Sequence, residues 1–296
     1  MAEITVELIK TLRDKTNAGM MDCKAALAEA DGDLEAAETV LRKKGIASAG
    51  KKASRAASEG VVASKINAEG RTGVLAELNC ETDFVAKNEN FQSFVTAMMD
   101  HLAGSSAGDL DALLAEPFTG DSDGTVEDFV KAKIAELGEN IVARRFERYT
   151  VEDGAAGVVS SYIHLQGKVG VLVEVGCSNA DTVGNEKFRE LVKDITLHIA
   201  AASPVCVGRD EVPSALIEKE REIYMDQVKD KPENIIEKIV SGKIDKYYST
   251  ICLSEQGFVK DPDKTVDEVV KGVASELGDD GVVVRRFVRY AVGEEV

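Results

Sequence analysis

The first 45 residues carry apolar side chains at helical spacing in three consecutive runs. The three apolar faces are Ile4, Leu8 and Leu12; Ala26, Leu27 and Ala30; and Leu34, Ala37 and Leu41. Residues three and four apart lie on one face of a helix, so each run predicts a short helix. Asp22 and Asp33 are suited to cap the second and third helices, and Gly45 to end the third. Residues 1–45 are therefore predicted to form a small three-helix bundle.

Residues 46–60 lack this periodicity and are rich in Ala, Ser, Lys and Gly. Such a composition is typical of a flexible linker or of a weak helix, and the sequence leaves both open. In either case the segment separates the N-terminal bundle from the rest of the chain.

The remainder of the chain contains two repeated segments. Residues 73–103 recur without a gap at 170–200; each copy reads as a strand followed by a helix, and a further strand precedes each copy. Residues 141–149 recur at 282–290 and predict one more strand after a capped helix in each half. A fixed spacing indicates a duplicated supersecondary unit. Local strands with segregated helices predict an α+β core with antiparallel sheets, its halves spanning residues 61–153 and 154–296.

The second half is longer because it contains an insert. Two apolar runs at helical spacing, 216–228 and 235–244, flank Lys231-Pro232. Proline cannot continue a helix, so the chain is expected to turn there. The pattern predicts an antiparallel coiled-coil hairpin at about residues 211–254.

Charge and composition exclude several classes of protein. The net charge is −17, which opposes a protein whose main affinity comes from neutralising phosphates. The apolar runs are shorter than the roughly 20 residues that span a bilayer, and Met1-Ala2-Glu3-Ile4 does not resemble a signal peptide. We therefore expect a cytoplasmic protein without a direct nucleic-acid or membrane partner; a processed organellar protein stays open. The five dispersed cysteines predict small buried thiols.

The chain also lacks the phosphate-binding motifs of nucleotide-dependent enzymes. It contains no phosphate loop of the form GxxxxGK[ST] and no GxGxxG, and its three histidines have no matched nucleophile. No His, Cys, Asp or Glu cluster has metal-ligand spacing. We therefore predict no active site, no cofactor and no metal. Arg144-Arg145 and Arg285-Arg286 alternate with apolar residues on strands and are predicted to cover a sheet from the solvent side.

The two copies of the first repeat differ at one loop. Thr82-Asp83-Phe84-Val85 in the first copy corresponds to Asn179-Ala180-Asp181-Thr182 in the second. Function is commonly carried by a loop held on a rigid scaffold, so the first loop is the candidate site. Taken alone, Phe84 could serve a partner or cap its own core.

Three motifs resemble the bacterial translation elongation factor Ts family over essentially the whole chain. They are Met1 to Thr5 with Leu12-Arg13 and Ala18 to Leu27; Asn79 to Lys87; and His198 to Ala201 followed by Pro204. The resemblance implies a ubiquitin-associated-like three-helix module, a pseudo-symmetric α+β core and a coiled-coil insert. It also implies guanine-nucleotide exchange on elongation factor Tu, the GTPase that delivers aminoacyl-tRNA. Glu81 stands where many members have Gln, and the chain ends soon after Tyr290.

The resemblance further implies a set of partner-binding residues: Thr82, Asp83, Phe84, Val85, Lys10, Arg13, Met20, Met21 and His198. Phe84 would enter an apolar crevice near the Mg²⁺ site of the GTPase, with Asp83 helping to place it. Spacing alone also allows Met20 and Met21 to be bundle core. The alternative function is a non-catalytic helical adaptor or chaperone-like protein. The oligomeric state stays open, with a homodimer or a heterotetramer with the GTPase among the arrangements.

Overall fold

The computed structural model describes residues 4–16, 18–120 and 124–295, so the start of the N-terminal motif, Met1 to Glu3, lies outside the described residues. The helices are α1 (Val6–Thr16), α2 (Met20–Glu29), α3 (Leu34–Lys52), α4 (Asp83–Ala86), α5 (Glu89–Gly104), α6 (Leu110–Ala115), α7 (Val126–Leu137), α8 (Glu186–Ala202), α9 (Ser214–Gln227), α10 (Glu233–Ile251) and α11 (Val266–Leu277). The strands are β1 (Glu59–Ile66), β2 (Thr72–Cys80), β3 (Val142–Thr150), β4 (Ala156–His164), β5 (Val169–Cys177), β6 (Gly257–Phe258), β7 (Asp261–Thr265) and β8 (Val283–Ala291). The predicted α+β class with antiparallel sheets is confirmed.

The N-terminal helices α1, α2 and α3 enclose a small core. Its buried members are Ile9, Leu12, Cys23, Ala26, Leu27 and Ala37. Asp33 caps α3 as predicted, because its Oδ1 accepts a hydrogen bond from the Ala36 amide at 2.8 Å. The predicted start of α2 was wrong: the helix begins at Met20, with Gly19 as an N-cap that makes no side-chain bond.

The predicted end of the third helix was also wrong, because α3 continues through Gly45 to Lys52. Gly45 is buried, and a Cβ built on it would lie 2.8 Å from Ala135 Cβ on α7. The glycine therefore allows α3 to approach α7 closely instead of ending the helix. The first part of the predicted linker is helical, and its last residues begin β1.

Each half of the core is built on a three-stranded sheet. The first sheet has the order β1-β2-β3 and the second β4-β5-β8, with all neighbours antiparallel. The two central strands are buried from Gly73 to Cys80 and from Gly170 to Cys177. Their two faces are covered because helices pack on one face and the other half's sheet packs on the opposite face.

The two sheets face each other across a pseudo-twofold axis. Ser64 and Ser161, which are equivalent in the repeat, share a hydrogen bond between their hydroxyls at 2.9 Å. A Cβ built on Gly73 would lie 3.0 Å from Leu172 Cδ1, and one on Gly170 would lie 3.0 Å from Leu75 Cδ1. The buried residues between the sheets are Val62, Leu75, Tyr149, Val151, Val159, Leu172 and Tyr290. The contacts of Gly73 with Leu172 and of Gly170 with Leu75 are thus equivalent on the two sides of the axis.

The two arginine pairs were predicted to cover a sheet from the solvent side. In the structure they instead form ion pairs with buried glutamates. Arg145 Nε donates to Glu77 Oε2 at 2.8 Å, and Arg286 Nε donates to Glu174 Oε2 at 2.8 Å. Both glutamates are buried, so their charges require these partners. The Arg145 guanidinium also lies 4.0 Å from the ring centre of Tyr290 in the other half.

The insert is the predicted helical hairpin, formed by α9 and α10. Val240 and Ile244 of α10 are buried. At its neck, Cys206 and Cys252 face each other with their sulfur atoms 3.7 Å apart. The five cysteines are all free and buried, as predicted.

Candidate functional site

The loop after β2 forms a single helical turn, α4, that points one aromatic side chain outward. Thr82 is its N-cap, and the Thr82 hydroxyl accepts a hydrogen bond from the Val85 amide at 3.3 Å. Val85 packs against the core of the first half and Ala86 is buried. Phe84 lies between these anchored positions and is 83% exposed. Its own core therefore does not enclose the ring, which excludes the interpretation of Phe84 as a core cap.

The other side chains of α4 and its neighbours hold the turn in place. Lys87 Nζ donates to Asp83 Oδ2 at 2.8 Å, and this lysine lowers the pKa of Asp83. Gln92 of α5 donates its amide hydrogen to the Ala86 carbonyl at 2.6 Å. Asn88 caps α5, because its Oδ1 accepts from the Asn90 amide at 2.8 Å. The turn is therefore fixed to the helix that follows it.

A carboxylate from a distant part of the chain holds the start of the loop. Glu139 Oε2 accepts hydrogen bonds from the Glu81 amide at 3.1 Å and the Thr82 amide at 3.0 Å. Glu139 Oε1 accepts from the Thr82 hydroxyl at 2.7 Å. Glu139 follows Gly138, which ends α7 in the left-handed conformation. Sequence reasoning did not single out this residue.

Glu81, the residue that departs from the common family pattern, joins the loop to the chain that leaves α3. Its Oε1 accepts a hydrogen bond from the Asn140 amide at 2.7 Å and lies 3.4 Å from Arg55 Nη1. The Asn140 side chain donates to the Arg55 carbonyl at 2.8 Å. A glutamine could accept from the Asn140 amide but could not form the ion pair. The segment after the N-terminal bundle therefore contacts the base of the loop directly.

In the second copy a carboxylate also holds the start of the loop, and we call this arrangement of carboxylate and loop the cradle. The second copy has no aromatic residue at the position of Phe84. Asp279 accepts from the amides of Ser178 at 2.9 Å and Asn179 at 3.0 Å, and from the Thr182 hydroxyl at 2.7 Å. The threonine hydroxyl and these amides lower the pKa of Asp279 to about 2. In the sequence, Leu-Gly precedes both Glu139 and Asp279, which marks the two carboxylates as equivalent positions but does not indicate what they bind.

The N-terminal candidates lie on the surface of the bundle. Lys10 and Arg13 are exposed on α1, while Ile9 and Leu12 face the core. Met20 is 46% exposed and Met21 is 75% exposed at the start of α2. The structure therefore assigns neither methionine to the bundle core. These four residues belong to α1 and α2, whereas Thr82 to Val85 share the single turn α4 in the first half of the core.

His198 lies in the interior of the second half. Its Nδ1 accepts a hydrogen bond from the Val259 amide at 3.2 Å, so Nε2 carries the proton and donates to Gln256 Oε1 at 2.9 Å. The ring is fully buried, and burial lowers the pKa of His198. Its equivalent, His101, accepts from the Thr119 amide at 3.2 Å in the same way. The His198 side chain therefore makes internal contacts and does not adjoin α4.

The part of the chain that the structure describes contains neither a group of metal ligands nor a helix suited to cross a membrane. Within residues 4–16, 18–120 and 124–295, no three His, Cys, Asp or Glu side chains are grouped so that they could hold a metal ion. None of the helices in this part of the chain is both long and apolar enough to cross a membrane.

Comparison with known proteins identifies the family. The family described as Elongation factor TS matches residues 81–294. Elongation factor Ts of Trichlorobacter lovleyi is 47% identical over 293 residues, which cover 98% of this chain and 93% of that protein. Elongation factor Ts of Syntrophotalea carbinolica is 48% identical over 294 residues, with 99% and 94% covered. Elongation factor Ts of Nostoc punctiforme is 44% identical over 299 residues, with 100% and 94% covered. The chain therefore belongs to the elongation factor Ts family.

Proposed function

We propose that the protein is a guanine-nucleotide exchange factor that binds GDP-bound elongation factor Tu and promotes GDP release during translation elongation. Family membership supports the partner and the reaction. The observation that carries the mechanism is the exposure of Phe84 on a turn whose neighbours are all anchored. A large apolar ring that its own fold does not bury is suited to insertion into a partner.

The proposed mechanism requires differential binding and no chemical step by the chain itself. A GTPase holds its nucleotide through backbone amides and a lysine around the phosphates, and Mg²⁺ neutralises the phosphate oxygens. Coupling between two ligands is reciprocal, so a protein that binds the nucleotide-free GTPase more tightly weakens nucleotide binding by the same factor. Phe84 would enter an apolar crevice near the Mg²⁺ site and displace the structure that holds the ion.

The other site residues have supporting roles in this proposal. Asp83, paired with Lys87, would make a polar contact beside the inserted ring. Thr82 and Val85 would hold the turn, since their hydrogen bond caps α4. A wedge held this way enters its partner without first losing the freedom of a mobile loop.

The N-terminal bundle would supply a separate docking surface. Lys10 and Arg13 offer positive charge, and Met20 and Met21 offer adaptable apolar contacts. We retain His198 as a partner-binding position that acts indirectly. Its ring holds the backbone of Val259, whose side chain is exposed, and so would fix a contact on the second half.

An exchange factor of this kind would act by binding and would need no active site or cofactor of its own. Because it serves translation, we expect it in the cytoplasm. Its assembly as a homodimer or a heterotetramer stays a prediction.

The test is the release of a fluorescent GDP analogue from elongation factor Tu, followed after addition of excess unlabelled GDP. We expect the release rate to rise with the concentration of the protein and to saturate. A release rate that stays at the spontaneous value, in the presence of demonstrated binding, would exclude the exchange function and favour the adaptor alternative.

A further inference from the structure

We propose that Glu139 is a positioning residue for nucleotide exchange, whose carboxylate orients the turn that carries Asp83 and Phe84. The inference rests on the proposed function. Glu139 is not itself expected to contact the GTPase; it acts through the backbone of the loop and through Thr82.

A single carboxylate, that of Glu139, holds three groups at the start of the loop. Both oxygens of Glu139 are engaged, one by the amides of Glu81 and Thr82 and the other by the Thr82 hydroxyl. Hydrogen bonds to an ionised acceptor are shorter and stronger than those between neutral groups. The carboxylate itself is held at a fixed place, because Gly138 ends α7 immediately before it. The first residues of the loop are therefore tied to a helix end.

The hydrogen bonds through the Thr82 hydroxyl have a fixed direction. A hydroxyl has one proton, and the Thr82 hydroxyl gives it to Glu139 at 2.7 Å. Its lone pairs remain free to accept from the Val85 amide, and that bond caps α4. The Glu139 carboxylate thus fixes the direction of the hydrogen bonds at the cap, and the cap holds α4 in place. Phe84 lies in α4, two residues after Thr82.

The Phe84 ring makes few contacts with its own fold that could orient it. The ring is 83% exposed, so packing against its own fold cannot set its direction. Only the backbone of α4 can do so before the partner is met. An ordered turn lets the ring arrive in its bound orientation, whereas a mobile turn would have to be ordered during binding.

The second half supplies a matched control. Asp279 likewise accepts from two loop amides, those of Ser178 and Asn179, and also from the Gly281 amide. Its threonine hydroxyl comes from Thr182, which stands at the repeat position of Val85, and no aromatic side chain follows. If these carboxylates act only as scaffold, their removal should have equal effects in the two halves. If Glu139 acts through Phe84, exchange should depend on Glu139 and not on Asp279.

The experiment compares Glu139→Gln with Asp279→Asn, each in the full chain and each with and without Phe84→Ala. Glutamine keeps one acceptor oxygen, and its NH₂ group faces either the two backbone amides, which can only donate, or the Thr82 hydroxyl, whose hydrogen bond to residue 139 it would reverse. GDP release from elongation factor Tu is measured against the concentration of each variant, which separates the maximal rate from the half-saturating concentration. A thermal melt of each variant establishes that it is folded.

We expect Glu139→Gln to lower the maximal rate about tenfold while the half-saturating concentration changes little, because other surfaces carry the docking. Asp279→Asn should leave the maximal rate within about twofold, the variation expected for a site with no part in binding. In the Phe84→Ala background, Glu139→Gln should cause no further loss, since two residues that act through one contact are not additive. Two results would overturn the proposal. One is an equal loss of maximal rate in Glu139→Gln and Asp279→Asn; the other is a further loss of about tenfold when Glu139→Gln is added to Phe84→Ala.

A measurement on the free protein keeps the inference separate from the exchange function. Amide hydrogen exchange of the segment 81–87 should become faster in Glu139→Gln, and that of 178–184 should become faster only in Asp279→Asn. Unchanged exchange at 81–87 would refute the positioning role even if the wild type accelerates GDP release. If the wild type fails to accelerate GDP release, the proposed function fails, and Glu139 retains only its effect on loop order.

Discussion

Replacing Phe84 with Ala tests the wedge directly and separates binding from folding. Because the ring is 83% exposed, its removal takes little buried area from the folded chain. We expect the free energy of unfolding to change by less than about 0.5 kcal/mol, as for surface substitutions. In the complex, full burial of such a ring is worth about 1.5–3 kcal/mol. A tenfold change in rate corresponds to about 1.4 kcal/mol, so the loss of exchange should be about ten- to a hundredfold.

The assay is stopped-flow release of fluorescent GDP from elongation factor Tu, with thermal melts to confirm equal stability. Leu165→Ala is the control, since this apolar side chain is 65% exposed in a turn that is not part of the candidate site. We expect the control to exchange nucleotide at the wild-type rate. Equal acceleration by the wild type and Phe84→Ala would refute the wedge and leave the docking surfaces to carry the effect.

Three further predictions concern the fold. Burial lowers the pKa of His198 below its usual 6.5, so the unfolded chain binds more protons at mildly acidic pH than the folded chain does. The free energy of unfolding should therefore fall as the pH drops below about 6.5. In denaturant titrations, His198→Gln should reduce this dependence of stability on pH. Burial raises the pKa of Cys80 and Cys252 to about 12, so a chromogenic disulfide reagent should modify these thiols slowly in the native protein and rapidly in denaturant. Gly73→Ala would crowd the interface between the sheets and should cost about 1–3 kcal/mol in urea unfolding, whereas Gly104→Ala, with open space around it, should be near neutral.

Local patterns and repeats were sufficient to predict most of the architecture. The duplicated segments predict two equivalent sheets because alternation and turn residues act over a few positions. Phe84 stood out because its counterpart in the second copy, Asp181, is not aromatic but a small acidic residue, and the loop around it differs. The helical hairpin followed from periodicity around Pro232.

What escaped prediction depends on contacts between distant residues. Glycine is typical of a helix end, so Gly45 was predicted to end the third helix. Only the position of α7 shows that Gly45 allows α3 and α7 to pack closely. Glu139 lies 57 residues from Thr82 in sequence, so its hydrogen bonds to the loop have no local pattern. Arg145 was assigned to the surface because Glu77, the buried charge that requires it, lies on a different strand.

The reciprocal packing about Ser64 and Ser161 has the symmetry of a homodimer enclosed within one polypeptide. In an isologous interface each surface patch meets its own equivalent, so a change near the axis alters both halves at once. Positions far from the axis escape this constraint, and there the halves differ: one loop carries the exposed Phe84, and the other half contains the helical hairpin. Because the two equivalent units are linked in one chain, their outer parts can differ in sequence while the interface between the two sheets stays common to both.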